Sequence, residues 1–388
     1  MIPYGRQHID ESDIQAVEAV LRSDFLTQGP AIERFERTVA DYCGARYAVA
    51  VSNATAGLHL ACLAAGLASG DALWTSPVTF VASANCGLYC GASVDFVDVD
   101  PVNGLMSSKA LSEKLTKAQK QKLPKVIIPV HLTGASCDME SIRALANEAG
   151  SVVIEDAAHA IGGSYRGHKI GTCDFSDMTV FSFHPVKIIT TGEGGMVLTN
   201  RADLYETLLL LRSHGITRNP AQMENASSGA WYYEQIALGY NYRMTDIQAA
   251  LGTSQMSKID AFIARRRELA GRYAELLQGF PLILPPWSPE TESAWHLYTV
   301  RLSLDTENRG PRRHAVFERL RAAGLGVNVH YIPVHMQPYY QRLGFRPSDF
   351  PQAEAYYEAA ISLPLYYDLS NAMQEEVVAA FISALKAN

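Results

Sequence analysis

Lys187 closes the run Phe-Ser-Phe-His-Pro-Val-Lys (181–187), between a strand-like stretch over Met178–Phe183 and the turn Thr-Thr-Gly-Glu-Gly-Gly (190–195). A lysine pinned between a buried strand and a glycine turn has little of the freedom of a surface lysine. A second apolar strand, Val152, Val153 and Ile154, runs into Glu155, Asp156, two alanines and His159. An amine at one strand end and an acid at another is the layout expected outside the carboxyl ends of an open α/β sheet. It is also what pyridoxal phosphate (PLP) requires, an amine for the Schiff base and a carboxylate for the pyridinium nitrogen. Glu155 and Asp156 are adjacent, so a strand turns them to opposite faces and only one can meet a cofactor. Asp156 is the last acid before the small-residue turn and is assigned that place. The commoner fate of a lysine, a solvated loop position, is the competing reading.

A third feature fits the same chemistry. The strand over Tyr47–Ser52 ends in Ser-Asn-Ala-Thr-Ala-Gly (52–57), where an alanine-rich helix begins. Small residues admit a ligand close to the backbone, and a helix N-terminus offers unpaired N–H groups to a phosphate. Thr55 adds a hydroxyl, although an ordinary helix cap would look similar. The turn over 192–195 lacks the Lys-Ser/Thr of a Walker loop, and no GxGxxG follows the first strand, which argues against a Rossmann dehydrogenase. His330 and His335 do not have metalloprotease spacing and no cysteine cluster accompanies them, so no metal is expected.

Strand patterns over 47–52, 72–76, 94–99, 126–131, 152–155, 178–183 and 196–199 alternate with helical patterns such as 55–65, 81–89 and 139–149. This is the rhythm of βαβ units around a mostly parallel sheet. Only the lysine loop joins the last two strands, so one of them is expected to run antiparallel. Residues 214–240 read as irregular. A long helix is expected over 246–279, and Phe-Pro-Leu-Ile-Leu-Pro-Pro-Trp (280–287) marks a boundary. The expected organisation is α/β: a large domain over 1–245, the connecting helix, and a smaller C-terminal α/β domain over 280–388, with strands over 296–302 and 326–331 and helices over 312–322 and 371–386. Asp10 and Asp13 suggest a capped helix near the N-terminus.

The 388 residues are 48% hydrophobic and 19% charged, with a formal charge of −7 and a pI near 5.9. Such a chain carries no nucleic-acid footprint. The most basic cluster, Arg265–Arg267, is read as a solvated helix face. Six cysteines without a CxxC pair, no apolar signal core and no stretch of membrane-spanning length point to a soluble, cytoplasmic protein.

Taken together, Leu-Thr-Gln-Gly-Pro (26–30), Asn-Ala-Thr-Ala (53–56), Thr-Phe-Val-Ala (79–82), Glu-Asp-Ala-Ala-His (155–159), Ser-Phe-His-Pro-Val-Lys (182–187), Gly-Glu-Gly-Gly (192–195), Gly-Tyr-Asn-Tyr-Arg-Met-Thr-Asp-Ile-Gln-Ala-Ala-Leu-Gly (239–252) and His-Tyr-Ile-Pro-Val-His (330–335) resemble the DegT/DnrJ/EryC1/StrS family. These are fold-type I, PLP-dependent nucleotide-sugar aminotransferases, and the likeness spans the chain. It implies that Lys187 carries the cofactor and shuttles the proton, that Asp156 pairs with the ring nitrogen, and that Phe80 stacks on the ring with His159 beside it. Ala54, Thr55 and Ser182 would hold the phosphate. Asn241 would reach it from the partner subunit of a homodimer with shared active sites, with Arg243 near the substrate. Tyr4, Phe25, Leu26, Thr27, His330 and Tyr331 would contact the sugar nucleotide.

Phe-Leu-Thr-Gln-Gly-Pro (25–30), Arg-Ser-His-Gly-Ile-Thr-Arg (212–218), Trp-Tyr-Tyr-Glu (231–234) and Ala-Ile-Ser-Leu-Pro-Leu (360–365) are most similar to one branch of that family. That branch transfers the amino group of L-glutamate to C4 of UDP-2-acetamido-2,6-dideoxy-β-L-arabino-hexos-4-ulose in pseudaminic acid biosynthesis. Ile188 and the Asn-Ala-Thr-Ala-Gly turn depart from that pattern, so another UDP- or dTDP-keto sugar, aminated at C4 or C3, stays open. The dehydratases of this fold carry histidine in place of the lysine, and Lys187 argues against them. A non-catalytic nucleotide-sugar-binding regulator is the other alternative, with no need to keep Lys187, Asp156 and the phosphate turn together.

Overall fold

The computed structural model describes residues 1–119, 123–303 and 309–386. Seven strands form the central sheet: β1 (Tyr47–Val51), β2 (Ala72–Thr75), β3 (Ser93–Phe96), β4 (Val126–Ile128), β5 (Val152–Asp156), β6 (Met178–Ser182) and β7 (Gly195–Thr199). Their order is β1-β7-β6-β5-β4-β2-β3. All neighbours are parallel except β7, which runs antiparallel to both β1 and β6. The reason is the connection from β6, which contains no crossover helix to bring the chain back in parallel.

Every residue of β6 and β7 is buried, as expected of strands covered on both faces. The covering helices are α1 (Glu11–Leu21), α2 (Pro30–Cys43), α3 (Ala54–Ala64), α4 (Ala82–Tyr89), α5 (Ser108–Lys117), α6 (Met139–Ala149), α7 (Ala202–Arg212), α8 (Asp246–Met256) and α9 (Ile259–Leu276). Alternation along the strands divides the core. Val49, Val51, Val180 and Val197 face α3, α4 and α7. Ala48, Ala50, Phe181, Met196 and Leu198 face α2, α8 and α9. Helix α3 lies so close to the sheet that a Cβ on Gly57 would sit 3.0–3.3 Å from Val180, Val197 and Val51.

Three expectations change. The long helix is two helices, α8 and α9. At the break the Ser257 hydroxyl bonds the Ser254 carbonyl (2.6 Å), and the Lys258 ammonium pairs with Asp10 (2.9 Å) and Asp13 (2.7 Å) at the start of α1. The expected strand over 326–331 shrinks to Leu325–Gly326, paired in parallel with Ile2–Pro3 at the N-terminus. Nor is Arg265–Arg267 a uniformly solvated face. Arg266 is 2% exposed and donates to the carbonyls of Trp295, His296 and Leu365.

The C-terminal part holds an antiparallel sheet of β8 (Leu282–Ile283), β9 (Tyr298–Leu302) and β10 (Ala360–Leu363). A helix over Asn371–Lys386 packs its apolar face against it. All six cysteines are free thiols. No helix among the described residues is long and apolar enough to cross a membrane.

Candidate active site

Strand β5 delivers its two acids to opposite sides. Glu155 accepts from Ser176, from Thr179 (3.0 Å) and from His131 Nε2 (2.6 Å). Burial alone would raise its pKa, but these partners hold it below the ordinary carboxylate range. Asp156 turns the other way. Its Oδ1 accepts from the Ala158 N–H (3.1 Å) and its Oδ2 from the Ser83 hydroxyl (2.6 Å).

Lys187 lies on the loop from β6 to β7. That loop is fastened at Phe183, whose carbonyl accepts from Thr191 N–H and whose N–H donates to the Gly194 carbonyl. Ile188 and Ile189 are buried beneath it. The lysine therefore has a fixed root. Burial pushes its amine from 10.5 down to about 8, against the opposing pull of the Asp156 charge. Amine and carboxylate share one site.

Aromatic and imidazole rings enclose that pair. His330 is pushed to about 3 by burial and by Lys187, and its Nδ1 bonds Ser362 Oγ at 2.8 Å. His159 is held well below its ordinary value by burial, Lys187 and His330. Its Nδ1 accepts from the Thr133 N–H (3.3 Å). The proton of the neutral ring therefore sits on Nε2, which reaches Tyr331 Oη at 3.3 Å. Tyr4 lies 5.3 Å from His330, and Phe80 lies 6.3 Å from Tyr331, ring centre to ring centre. Phe80 is 59% exposed, an aromatic face open beside an otherwise buried cluster.

The start of α3 forms a cradle. Asn53 caps it through Ala56 N–H (2.9 Å), while the N–H groups of Ala54 and Thr55 have no acceptor within the helix. Gly195 pairs with Ser182 across the sheet, and a Cβ on Gly195 would lie 2.7 Å from Ala54 N and the Asn53 carbonyl carbon. Ala54, Thr55 and Ser182 are thereby gathered at one point.

Five residues singled out from the sequence are anchored elsewhere within the chain. Thr27 bridges to Thr245, and the Leu26 carbonyl accepts from the Asp246 N–H. Phe25 and Leu26 are about half exposed. Asn241 bridges to Ser213, and Arg243 lines a shallow hollow with Glu33, Glu36 and Arg212. The Tyr242 carbonyl between them accepts from the Ser52 N–H (2.8 Å), which brings this segment close to the cradle.

A family model described as the DegT/DnrJ/EryC1/StrS aminotransferase family matches residues 7–382. The chain belongs to that family. It is 38% identical over 388 residues to the spore coat polysaccharide biosynthesis protein SpsC of Bacillus subtilis, covering 99% of this chain and 97% of SpsC. Among solved structures it is similar to Spr1654 of Streptococcus pneumoniae in its PMP form, with 29% identity, coverage of 100% and 99%, and a TM-score of 0.91. Helicobacter pylori PseC, an aminotransferase involved in the biosynthesis of pseudoaminic acid, matches with 29% identity, 99% coverage of both chains and a TM-score of 0.89. The protein is a PLP-dependent sugar aminotransferase.

The residues present fit that cofactor. The family's PLP needs a partly neutral amine, a fixed buried carboxylate, an anion cradle and an uncovered aromatic face, and the Lys187 site has each of them. Three contributors escaped the sequence reading. Thr79 lies in the bend before α4 and Ser83 in its first turn, and no local pattern marks the pair. His296, 4.4 Å from His159, comes from a strand pattern whose only visible signal was apolar alternation.

Proposed function

We propose that this aminotransferase moves the amino group of L-glutamate to C4 of a UDP-linked 4-keto-6-deoxy-N-acetylhexose, the pseudaminic acid precursor. It would act as a cytoplasmic homodimer with shared active sites. The observation that carries the reaction is the Lys187 amine, lowered to about 8 beside the buried Asp156. A base with a pKa near the working pH moves protons efficiently. Bound in this site, PLP supplies the carbonyl that carries the amino group and a ring that withdraws electrons.

Lys187 Nζ would hold the cofactor and, once released, would move the proton that the transfer requires. Asp156 would pair with the ring nitrogen, Phe80 would cover the ring, and Ala54, Thr55 and Ser182 would bind the phosphate. Neutral His159 adds no charge that would compete with the Lys187 amine. Residues 1–245 form the cofactor unit. Residues 280–388 bring His330 and Tyr331 to the sugar side, with Tyr4 joining them from the N-terminal arm. Asn241, Arg243 and the loop carrying Phe25, Leu26 and Thr27 complete the partner's site.

Exposed Phe25, Leu26, Trp231, Tyr233 and Leu238 support the dimer, because apolar groups collected on two loops suit an interface. The likenesses to PseC and to the sugar-nucleotide branch support the substrate. A panel of UDP- and dTDP-linked 4-keto and 3-keto sugars, offered with PLP and glutamate, tests the reading by NMR of the products. The UDP-linked 4-keto-6-deoxy sugar should be aminated fastest, at C4. Preference for a dTDP sugar, or amination at C3, would contradict it.

A further inference from the structure

Asp156 does not hold its orientation alone. Ser83 Oγ lies 2.6 Å from Asp156 Oδ2 and 2.7 Å from Thr79 Oγ1. A serine hydroxyl has one proton, and the carboxylate can only accept, so Ser83 donates to Asp156 and Thr79 must donate to Ser83. The chain has one direction, Thr79 to Ser83 to Asp156. Both hydroxyl residues are buried, Ser83 fully. Helix α4, which carries Ser83 and follows directly after Thr79, is braced from outside by Tyr340 Oη on Asn85 (2.7 Å) and from within by Cys86 Sγ on the Ser83 carbonyl (3.3 Å). The Ala158 N–H takes the other carboxylate oxygen. Together they fix the plane of the carboxylate as well as its position.

We infer that Thr79 and Ser83 form a positioning relay that aims the Asp156 carboxylate at the ring nitrogen. Phe80 lies between them, so one turn of chain sets both the ring-covering aromatic and the carboxylate. The inference rests on the reading of Asp156 as the ring-nitrogen partner. In metal sites, loss of an outer partner that orients a ligand costs about ten- to a hundredfold in affinity or rate. The Ser83→Ala apoprotein should therefore bind PLP about tenfold more weakly, with kcat reduced and KM for the keto sugar unchanged.

Thr79→Val keeps the shape and removes the hydroxyl, and it should show a smaller loss of the same kind. Thr79→Ser keeps the hydroxyl and should behave as wild type. Because Thr79 acts only through Ser83, Thr79→Val should add nothing further in the Ser83→Ala background. Direct titration of each apoprotein with PLP, beside its thermal midpoint, reads these effects without turnover. Wild-type PLP affinity in folded Thr79→Val and Ser83→Ala overturns the relay, as do additive losses or an equal loss in Thr79→Ser. Asp156→Asn separates the two levels. If it too leaves PLP affinity and turnover unchanged, the placement of Asp156 fails; if it alone is damaged, only the relay fails.

Discussion

In the apoprotein, Lys187 should titrate at about 8, where an unperturbed lysine titrates at 10.5. At pH 7.5 that leaves about a quarter of the Lys187 amines neutral, against about one in a thousand for an ordinary lysine. Trace acetylation at a series of pH values, read by mass spectrometry of the Lys187 peptide, measures the midpoint. An added lysine model peptide, acetylated in the same samples, serves as the reference. Burial lowers the value and Asp156 opposes it, so Asp156→Asn should move the midpoint further down. The same shift appears in stability. Below about 8 both folded and unfolded chains carry the proton, and the folded state bears the full cost of enclosing it. Between about 8 and 10.5 the unfolded chain still binds the proton while the folded chain does not, so stability rises with pH across that window. Lys187→Met should abolish this slope and stabilise the apoprotein at neutral pH by on the order of 3 kcal/mol. A midpoint near 10, or one that stays fixed or rises in Asp156→Asn, would refute the reasoning.

Glu155→Gln should lower stability by about 2 kcal/mol, because it misplaces an acceptor bonded to His131, Ser176 and Thr179, while sparing turnover. Asp156→Asn should do the reverse, cutting turnover by several orders of magnitude with little change in denaturation midpoint. The opposite pattern would exchange the two acids. Wild-type Glu155, held below its ordinary value, contributes stability above the unfolded carboxylate pKa that disappears as pH falls through the folded value, which an acid titration by circular dichroism would follow. Gly195→Ala places a Cβ 2.7 Å from backbone atoms at the start of α3 and should weaken PLP binding of the apoprotein about tenfold or more; unchanged affinity would dismiss the cradle. Mixing Lys187→Ala with an Asn241 variant impaired in cofactor binding should restore activity toward about a quarter of wild type after subunit exchange, since each mixed dimer regains one intact site. No recovery after verified exchange would assign the 239–243 segment to its own chain, as the Ser52–Tyr242 contact would then explain.

Much of the fold was legible because the central strands are nearly continuous apolar runs, and because the loop between β6 and β7 has no helix to reverse direction twice. The split between Glu155 and Asp156 followed from strand geometry alone. The helix break at Ser257 was not legible, since neither glycine nor proline marks it. The contacts found there, Lys258 with Asp10 and Asp13, join residues far apart in sequence. Arg266 was misjudged for a similar reason, as its carbonyl partners lie on segments around 295 and 365. At the site, the chemistry of Lys187 and the α3 turn could be read from local pattern, whereas the rings of His159, His296, His330 and Tyr331 meet only through packing of the C-terminal part.

The central claim is transfer of an amino group through Lys187 from glutamate to the sugar. Its most direct measurement uses PLP-loaded protein and ¹⁵N-labelled glutamate. Glutamate alone should bleach the visible absorbance of the cofactor, and the UDP-linked 4-keto sugar should then restore it. The label should appear on C4 of the sugar, and Lys187→Ala should do none of this. Label at another carbon, label left in glutamate, or full transfer by Lys187→Ala would contradict the account.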